Sequence, residues 1–161
     1  MSSAVTGRWL HHAGMTVSSM ERALRFWRDG LGLETVVDQD AQGGYFEAIV
    51  GERDVDVHIV HLAFGGEGPR VELFEFRSPA GGAHRSRPAD VGFGHVCVAL
   101  RSPGEISALA ERLVDAGGTL VAPIVEIDGG VNRGGRACYV RDQDGHVVEL
   151  FAPPRPGQEP S

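Results

Sequence analysis

Two histidines and two glutamates stand at matched places along the chain and are its strongest candidates for chemistry. Imidazole and carboxylate groups are common ligands of divalent transition metals. The tetrapeptide Val71-Glu72-Leu73-Phe74 recurs unchanged as Val148-Glu149-Leu150-Phe151. A histidine precedes each glutamate by a similar distance, 60 residues for His12 and 54 residues for His95. This spacing predicts a divalent-metal site whose ligands are His12, Glu72, His95 and Glu149.

The elements around these residues also repeat on either side of a linker rich in glycine and proline, residues 79–90. Before the linker, the pattern predicts a strand at 10–17 and a helix at 18–30 that is capped by Ser18 or Ser19. Three further strands are predicted at 34–39, 55–64 and 70–76. After it, the same order is predicted at 92–100, 103–116, 119–127, 135–141 and 146–151. The repeat predicts an α+β fold of two βαβββ modules, 9–78 and 91–152. The proline-rich tail, 153–161, is predicted to be disordered.

Alternation along the strands places the four candidate ligands on one kind of face. Successive side chains of a strand point to opposite sides of the sheet. In the first strand Ala13, Met15 and Val17 form the apolar face, so His12 lies on the other face and His11 does not. In both Val-Glu-Leu-Phe segments the valine and leucine face the helices, and the glutamate points away from them. Each module therefore directs one histidine and one glutamate away from its helix.

Three segments carry a resemblance to a known family: HHAGMTVSSMERALRFWRDGLGLE (11–34), GFGHVCVAL (92–100) and RDQDGHVVELFAP (141–153). Through them the chain resembles the vicinal oxygen chelate superfamily, which contains glyoxalases, bleomycin-resistance proteins and extradiol dioxygenases. The resemblance runs from about Trp9 to Ala152. It implies that the two βαβββ modules pair in a curved mixed sheet around a metal site, with ligands at the same four positions that strand alternation selects.

The implied ligand set favours chemistry without dioxygen. A six-coordinate ion with four protein ligands keeps two positions for a bidentate substrate, whereas an extradiol oxygenase needs three and uses two histidines and one carboxylate. The set is similar to that of glyoxalase I and methylmalonyl-CoA epimerase, where a metal-bound enediolate forms while a carboxylate moves the proton alpha to a carbonyl. We therefore expect a metal-dependent lyase or isomerase acting on a small substrate with adjacent oxygens. Its catalytic residues would be Glu149 as the base and Glu72 as partner or alternate.

Departures from each branch leave the substrate open. Thr16 stands where glyoxalase I usually has an arginine for glutathione, and no asparagine follows Glu72 at the usual place. Methylmalonyl-CoA epimerase typically has glutamine at the position of Glu72. Two alternatives stay open: a small extradiol-type dioxygenase in which one glutamate is not a ligand, and an antibiotic-binding or antibiotic-modifying resistance protein.

Five further residues are predicted to contact the substrate. Phe74 and Phe76 follow Glu72 on the same face and indicate a partly apolar substrate. Cys97 shares the face of His95. The glycine-rich loop 129–136 is predicted to cover the pocket, where Arg133 or Arg136 would pair with a carboxylate or phosphate.

Composition excludes several other classes of function. The net charge of −7 argues against nucleic-acid and anionic-membrane partners. All fifteen basic residues are arginines, so Schiff-base chemistry on lysine is excluded. No apolar stretch is long enough for a membrane helix, and two cysteines fit a reducing cytoplasm. We expect a cytoplasmic homodimer that binds a small molecule and one of Zn, Ni, Co, Mn or Fe. Whether modules pair within a chain or across the dimer stays open.

Overall fold

The first module begins with an amphipathic strand and a capped helix. The computed structural model describes residues 9–65, 68–83 and 85–154. The hydroxyl of Ser19 accepts a hydrogen bond from the backbone N–H of Arg22 and caps the helix. The elements are β1 (His12–Thr16), α1 (Met20–Leu24) with a π-helical continuation (Arg25–Gly30), β2 (Glu34–Gln42), α2 (Gly44–Val50), β3 (Asp56–Ala63) and β4 (Arg70–Ser78). Residues 155–161 of the tail, for which the sequence predicts disorder, lie outside the described residues.

The second module has the same order of strand, helix and further strands, but α2 has no counterpart among its described residues and its middle strands are shorter. Its elements are β5 (His95–Ala99), α3 (Glu105–Asp115), β6 (Thr119–Leu120), β7 (Val125–Glu126), β8 (Arg136–Arg141) and β9 (Val147–Ala152). The prediction of one continuous strand over 119–127 is wrong, because this stretch is divided into β6 and β7. Pro123 lies between them, and proline has no backbone N–H to donate to a neighbouring strand.

The predicted α+β class is confirmed, and each module forms its own mixed sheet. The strand order is β1-β4-β3-β2 in the first sheet, and β5-β9-β8-β6 in the second, where β7 also pairs with β8. In both sheets the first strand runs parallel to the last strand of its module, β1 beside β4 and β5 beside β9. This connection brings the histidine-bearing strand next to the glutamate-bearing strand in each module.

The larger of two hydrophobic clusters in the described residues lies between the two modules. Trp27, in the π-helical segment, is fully buried there, and its indole N–H donates to Oδ2 of Asp142 at 3.0 Å. The Arg112 side chain of α3 donates to the carbonyl of Gly30, which joins the two helices. Strands of both sheets contribute to this core through Val60, Leu62, Val71, Leu73, Val140, Val148 and Leu150. Because side chains alternate along a strand, the faces that carry Glu72 and Glu149 point away from the core.

Helix α2 is an element that the sequence analysis did not predict. Gly43 precedes the helix with a φ of +56°, and Gly44 begins it with a φ of +60°. Gly51 ends the helix with a φ of +73°. Phe46 of α2 packs against Phe74 and Phe76 of β4, with ring centroids 5.8 Å and 6.4 Å apart. The helix therefore covers part of the face that carries Glu72. None of the helices in the described ranges has the length and apolarity needed to cross a membrane.

Candidate metal centre

Three strands of the first sheet bring two histidines to one glutamate, and we call this cluster the first half-site (His12, His61 and Glu72). Strand β4 lies between β1 and β3, so each neighbour presents a histidine to Glu72. Nε2 of His12 lies 3.0 Å from Oε2 of Glu72, and Nε2 of His61 lies 2.8 Å from Oε1. Glu72 is only 8% exposed. A carboxylate so far from water needs such partners for its charge.

Burial of the His61 side chain favours the neutral form of its imidazole. Desolvation lowers its pKa, and this effect exceeds the opposing influence of the Glu72 charge. Its Nδ1 is buried and has no hydrogen-bond partner among the described residues. A proton on Nδ1 would therefore be left unsatisfied at a cost. The proton lies on Nε2, which donates to Oε1 of Glu72.

Sequence reasoning missed His61, although the hairpin register carried the signal. Strands β3 and β4 form an antiparallel pair in which His61 is directly opposite Glu72. Directly opposite residues of such a pair lie on the same face of the sheet. The sequence Gly65-Gly66-Glu67-Gly68, typical of a hairpin turn, has its centre midway between these two residues. Extending the register from the turn would have brought His61 to the candidate ligand.

The second module has a matching cluster, the second half-site (His95, Tyr139 and Glu149). Nε2 of His95 lies 3.0 Å from Oε2 of Glu149. Tyr139 is directly opposite Glu149 in the β8–β9 pair, so it occupies the position that His61 has in the first module. Its ring packs on the imidazole of His95 with centroids 5.0 Å apart. The two modules therefore share the histidine–glutamate pair and differ in the residue across from the glutamate.

Cys97 and Tyr139 stay protonated beside Glu149. Cys97 pairs with Glu149 across the β5–β9 register. Desolvation of the thiol, together with the negative Glu149 and a hydrogen bond to it, raises the pKa of Cys97 to about 11. Desolvation and the same charge raise the pKa of Tyr139 above its ordinary value. At neutral pH both groups are therefore proton donors, and Cys97 is a weak nucleophile.

The spacing within each half-site suits two ligands of one ion. Nitrogen and oxygen ligands lie about 2.1 Å from divalent zinc, so two of them at a right angle are about 3.0 Å apart. The His12–Glu72 and His95–Glu149 contacts are both 3.0 Å. Each pair thus has the separation of adjacent ligands in a metal shell, and both carry the imidazole and carboxylate groups that such ions prefer. In kind and in separation, the two donors of each half-site therefore suit a divalent ion, but one pair alone is not a complete ligand shell.

The two half-sites do not meet within one chain. Their sheets turn the same apolar side toward the shared core, so the half-sites lie on outward faces. Throughout the described ranges, no three His, Cys, Asp or Glu side chains are grouped so that they could hold a metal ion by themselves. The predicted four-ligand set thus consists of two separate pairs in the single chain.

The other predicted contact residues are distributed unevenly around these clusters. A Cβ added to Gly14 of β1 would lie 3.1 Å from the Phe74 ring and 3.6 Å from Oε2 of Glu72, so this ring borders the first half-site. Phe76 is half-buried beneath α2. Arg133 is exposed in the loop before β8. Arg136 has the strand parity of the core-facing residues of β8 and donates to the carbonyl of Pro103, so it is not brought to Glu149.

Comparison with known proteins identifies the family. The model of the Glyoxalase/Bleomycin resistance protein/Dioxygenase superfamily matches residues 9–150. The chain belongs to this superfamily. The resemblance of the sequence to the vicinal oxygen chelate group is thereby confirmed. No curated protein matches the chain.

Several solved structures of this superfamily share the fold. A glyoxalase family protein of Bacillus cereus is 22% identical, with a TM-score of 0.78 over 95% of this chain and 100% of that chain. The trypanothione-dependent glyoxalase I of Leishmania major is 18% identical, with a TM-score of 0.63 over 91% of this chain and 87% of that chain. A glyoxalase I mutant from Zea mays is 20% identical, with a TM-score of 0.63 over 89% of this chain and 47% of that chain. At these identities the likeness shows the common fold.

Proposed function

We propose that the protein is a divalent-metal-dependent lyase or isomerase that moves the proton alpha to a carbonyl on a small substrate with adjacent oxygens. The observation that carries the proposal is the matched pair of contacts, His12 with Glu72 and His95 with Glu149, in equivalent strands of two repeats. Membership of a superfamily that includes glyoxalases supports it. The similar structures named as glyoxalase I support the same class of reaction.

The proposed ligands are His12, Glu72, His95 and Glu149. A divalent ion bound by them would polarise the carbonyl oxygen and stabilise the negative charge that develops as the adjacent carbon loses its proton. The two carboxylates balance the charge of the ion. Four protein ligands leave two of six positions for the adjacent oxygens of a substrate.

Glu149 is the proposed base, and Glu72 is proposed to remain a ligand. The side chain of Glu149 is 22% exposed, twice the 11% of Glu72, so it has more freedom to reach a substrate carbon. A carboxylate within hydrogen-bonding reach of an acidified C–H can take its proton and return it. The neutral Cys97 and Tyr139 beside Glu149 would donate hydrogen bonds to the oxygen that gains charge.

The surroundings of the first half-site support a substrate with an apolar group. The Phe74 ring borders Glu72, and Phe46 and Phe76 extend this aromatic surface beneath α2. Cys97 would line the pocket on the other side, and the exposed Arg133 is the proposed partner of an anionic substrate group. The guanidinium group of Arg136 already donates to a backbone carbonyl, so we do not assign it to substrate.

We further propose that a second copy of the chain completes the site. Strands β1 and β5 are the edges of their sheets, so in the described residues each pairs with a strand on one side only. A groove of about 460 Å³ lies between them, with the exposed Leu10 and Phe64 among its apolar lining residues. A homodimer that places the first half-site of one copy against the second half-site of the other would cover this apolar surface and bring the four ligands together.

Metal analysis and proton exchange test the reaction class. The purified protein should bind one divalent ion per chain, and the variant with both His12→Ala and His95→Ala should bind none. With hydroxyacetone, a small ketone with an adjacent hydroxyl, the metal-loaded protein should exchange the protons next to the carbonyl with deuterium from solvent. Full metal retention by the double variant would contradict the ligand assignment. Oxygen uptake with a catechol, in place of proton exchange, would instead support an extradiol dioxygenase.

A further inference from the structure

The two glutamates differ in how their carboxylates are held. Both oxygens of Glu72 have an imidazole partner, His12 at 3.0 Å from Oε2 and His61 at 2.8 Å from Oε1. Glu149 has the equivalent contact with His95 at Oε2 and also a hydrogen bond with the Cys97 thiol. The residue across from it, Tyr139, packs its ring on His95. Two positions beside the glutamate therefore differ between the modules: His61 corresponds to Tyr139, and Gly14 corresponds to Cys97.

We infer that His61 is a positioning residue that holds Glu72 as a permanent, single-oxygen ligand and thereby leaves the proton-transfer role to Glu149. This inference rests on the proposed function. The hydrogen bond at Oε1 leaves Oε2 on the side of His12, where it would be available to a bound ion, and it opposes rotation of the carboxylate. Outer hydrogen-bond partners of this kind orient ligands and contribute about 10–100-fold to metal affinity or activity.

The position of His61 makes it well suited to this task. It lies on β3 in the middle of the first sheet, between β2 and β4, so its backbone is fixed on both sides. Its side chain is 12% exposed, and that of Glu72 is 11% exposed, so little water competes for their hydrogen bond. The ring also lies beside His12, with centroids 5.8 Å apart. His61 therefore contacts both proposed ligands of its module.

Substitution of His61 tests the inference through metal binding as well as turnover. His61→Phe keeps a ring of similar size but removes the donor, whereas His61→Gln keeps an amide N–H near the place of Nε2. In cobalt titrations of the whole protein, His61→Phe should weaken binding about 10–100-fold, and His61→Gln should restore most of the affinity. His58→Phe is the matched control, because His58 lies on the same strand with opposite parity and contacts Asp38. It should bind cobalt as the wild type does.

The exchange reaction separates positioning from general loss of structure. At saturating cobalt, His61→Phe should still exchange hydroxyacetone protons, since Glu149 remains in place, and thermal unfolding should verify that each variant is folded. Wild-type affinity in His61→Phe would overturn the inference. An equal loss in His61→Gln and His61→Phe would also overturn it, because it would make the imidazole itself a metal ligand. If the wild type binds no cobalt, the proposed function itself fails. If the wild type binds cobalt and His61→Phe binds it equally well, only the inference about His61 fails, so the two failures are distinguishable. Should His61→Phe not fold, His61→Gln compared with His61→Asn, which has a shorter amide, decides the same question.

Discussion

The bond between Trp27 and Asp142 should join the two modules, and its removal should have a measurable and specific cost. The indole N–H donates to Oδ2 of Asp142, while Oδ1 accepts from the backbone N–H groups of Asp144, Gly145 and His146 at 2.8 to 3.0 Å. Asp142 is 5% exposed. One buried carboxylate thus organises the β8–β9 turn and also contacts the π-helical segment of the other module.

Asp142→Asn removes the contact with the Trp27 indole and preserves the contacts with the backbone of the turn. The amide oxygen can still accept from the turn, but an amide NH₂ in place of Oδ2 leaves the buried indole N–H without an acceptor. Such a loss costs about 1–3 kcal/mol. For a chain of this size, this corresponds to a fall in Tm of about 2–4 °C for each kcal/mol.

A double-mutant cycle with Trp27→Phe isolates the contact. The Trp27→Phe variant has no indole N–H that could lose its acceptor. In that variant, Asp142→Asn should therefore lower the free energy of unfolding by about 1–3 kcal/mol less than it does in the wild type. The free energies are measured by urea unfolding at one fixed protein concentration. Asp29→Asn, which removes an exposed ion pair with Arg28, is the control and should change stability by less than about 1 kcal/mol. Additivity of the two core substitutions to within about 0.5 kcal/mol would refute the reasoning.

Three further predictions follow from the site and the core. Glu149→Gln should slow deuterium exchange into hydroxyacetone by about 10²–10⁴-fold while Glu72→Gln retains more of it, and the reverse order would exchange their assigned roles. Gly118→Ala should destabilise the protein by about 1–3 kcal/mol in urea unfolding, because the added Cβ would lie 2.6 Å from the Phe26 ring and 2.8 Å from the Leu113 carbonyl. Gly129→Ala is the control and should be nearly neutral, because its Cβ would have no other atom within 4 Å. The raised pKa of Cys97, about 11, keeps its thiol protonated at pH 7. The rate of alkylation of Cys97 by iodoacetamide should therefore rise about tenfold per pH unit until the pH nears that pKa. A rate that reaches a plateau below pH 9 would contradict this pKa.

Local patterns in the sequence were sufficient for most of the elements and for the histidine–glutamate pairs. Strand alternation selected His12 over His11, and in the structure His12 is the one that contacts Glu72. The repeated Val-Glu-Leu-Phe segment became the last strand of each module, beside the strand that carries the histidine. These features depend on residues close together in sequence or on one repeated connection, so period and spacing reveal them.

Features that depend on pairing between distant residues were harder to predict. His61 enters the first half-site through the β3–β4 register, and α2 is a seven-residue helix too short for a clear helical period. The outward direction of the half-sites follows from which face of each sheet packs on the shared core. That packing includes contacts between the modules such as Trp27 with Asp142, 115 residues apart in the chain. No local pattern encodes such a contact.

Metal counting in mixed dimers tests the central claim, that one site combines the half-sites of two copies. One variant carries His12→Ala with Glu72→Ala, and the other carries His95→Ala with Glu149→Ala. Dimers of either variant alone should bind no divalent ion. A mixed dimer should bind one, because the intact second half-site of the first variant meets the intact first half-site of the second. Absence of metal from purified mixed dimers, when wild-type dimers bind two ions, would contradict the account and place each site within a single chain.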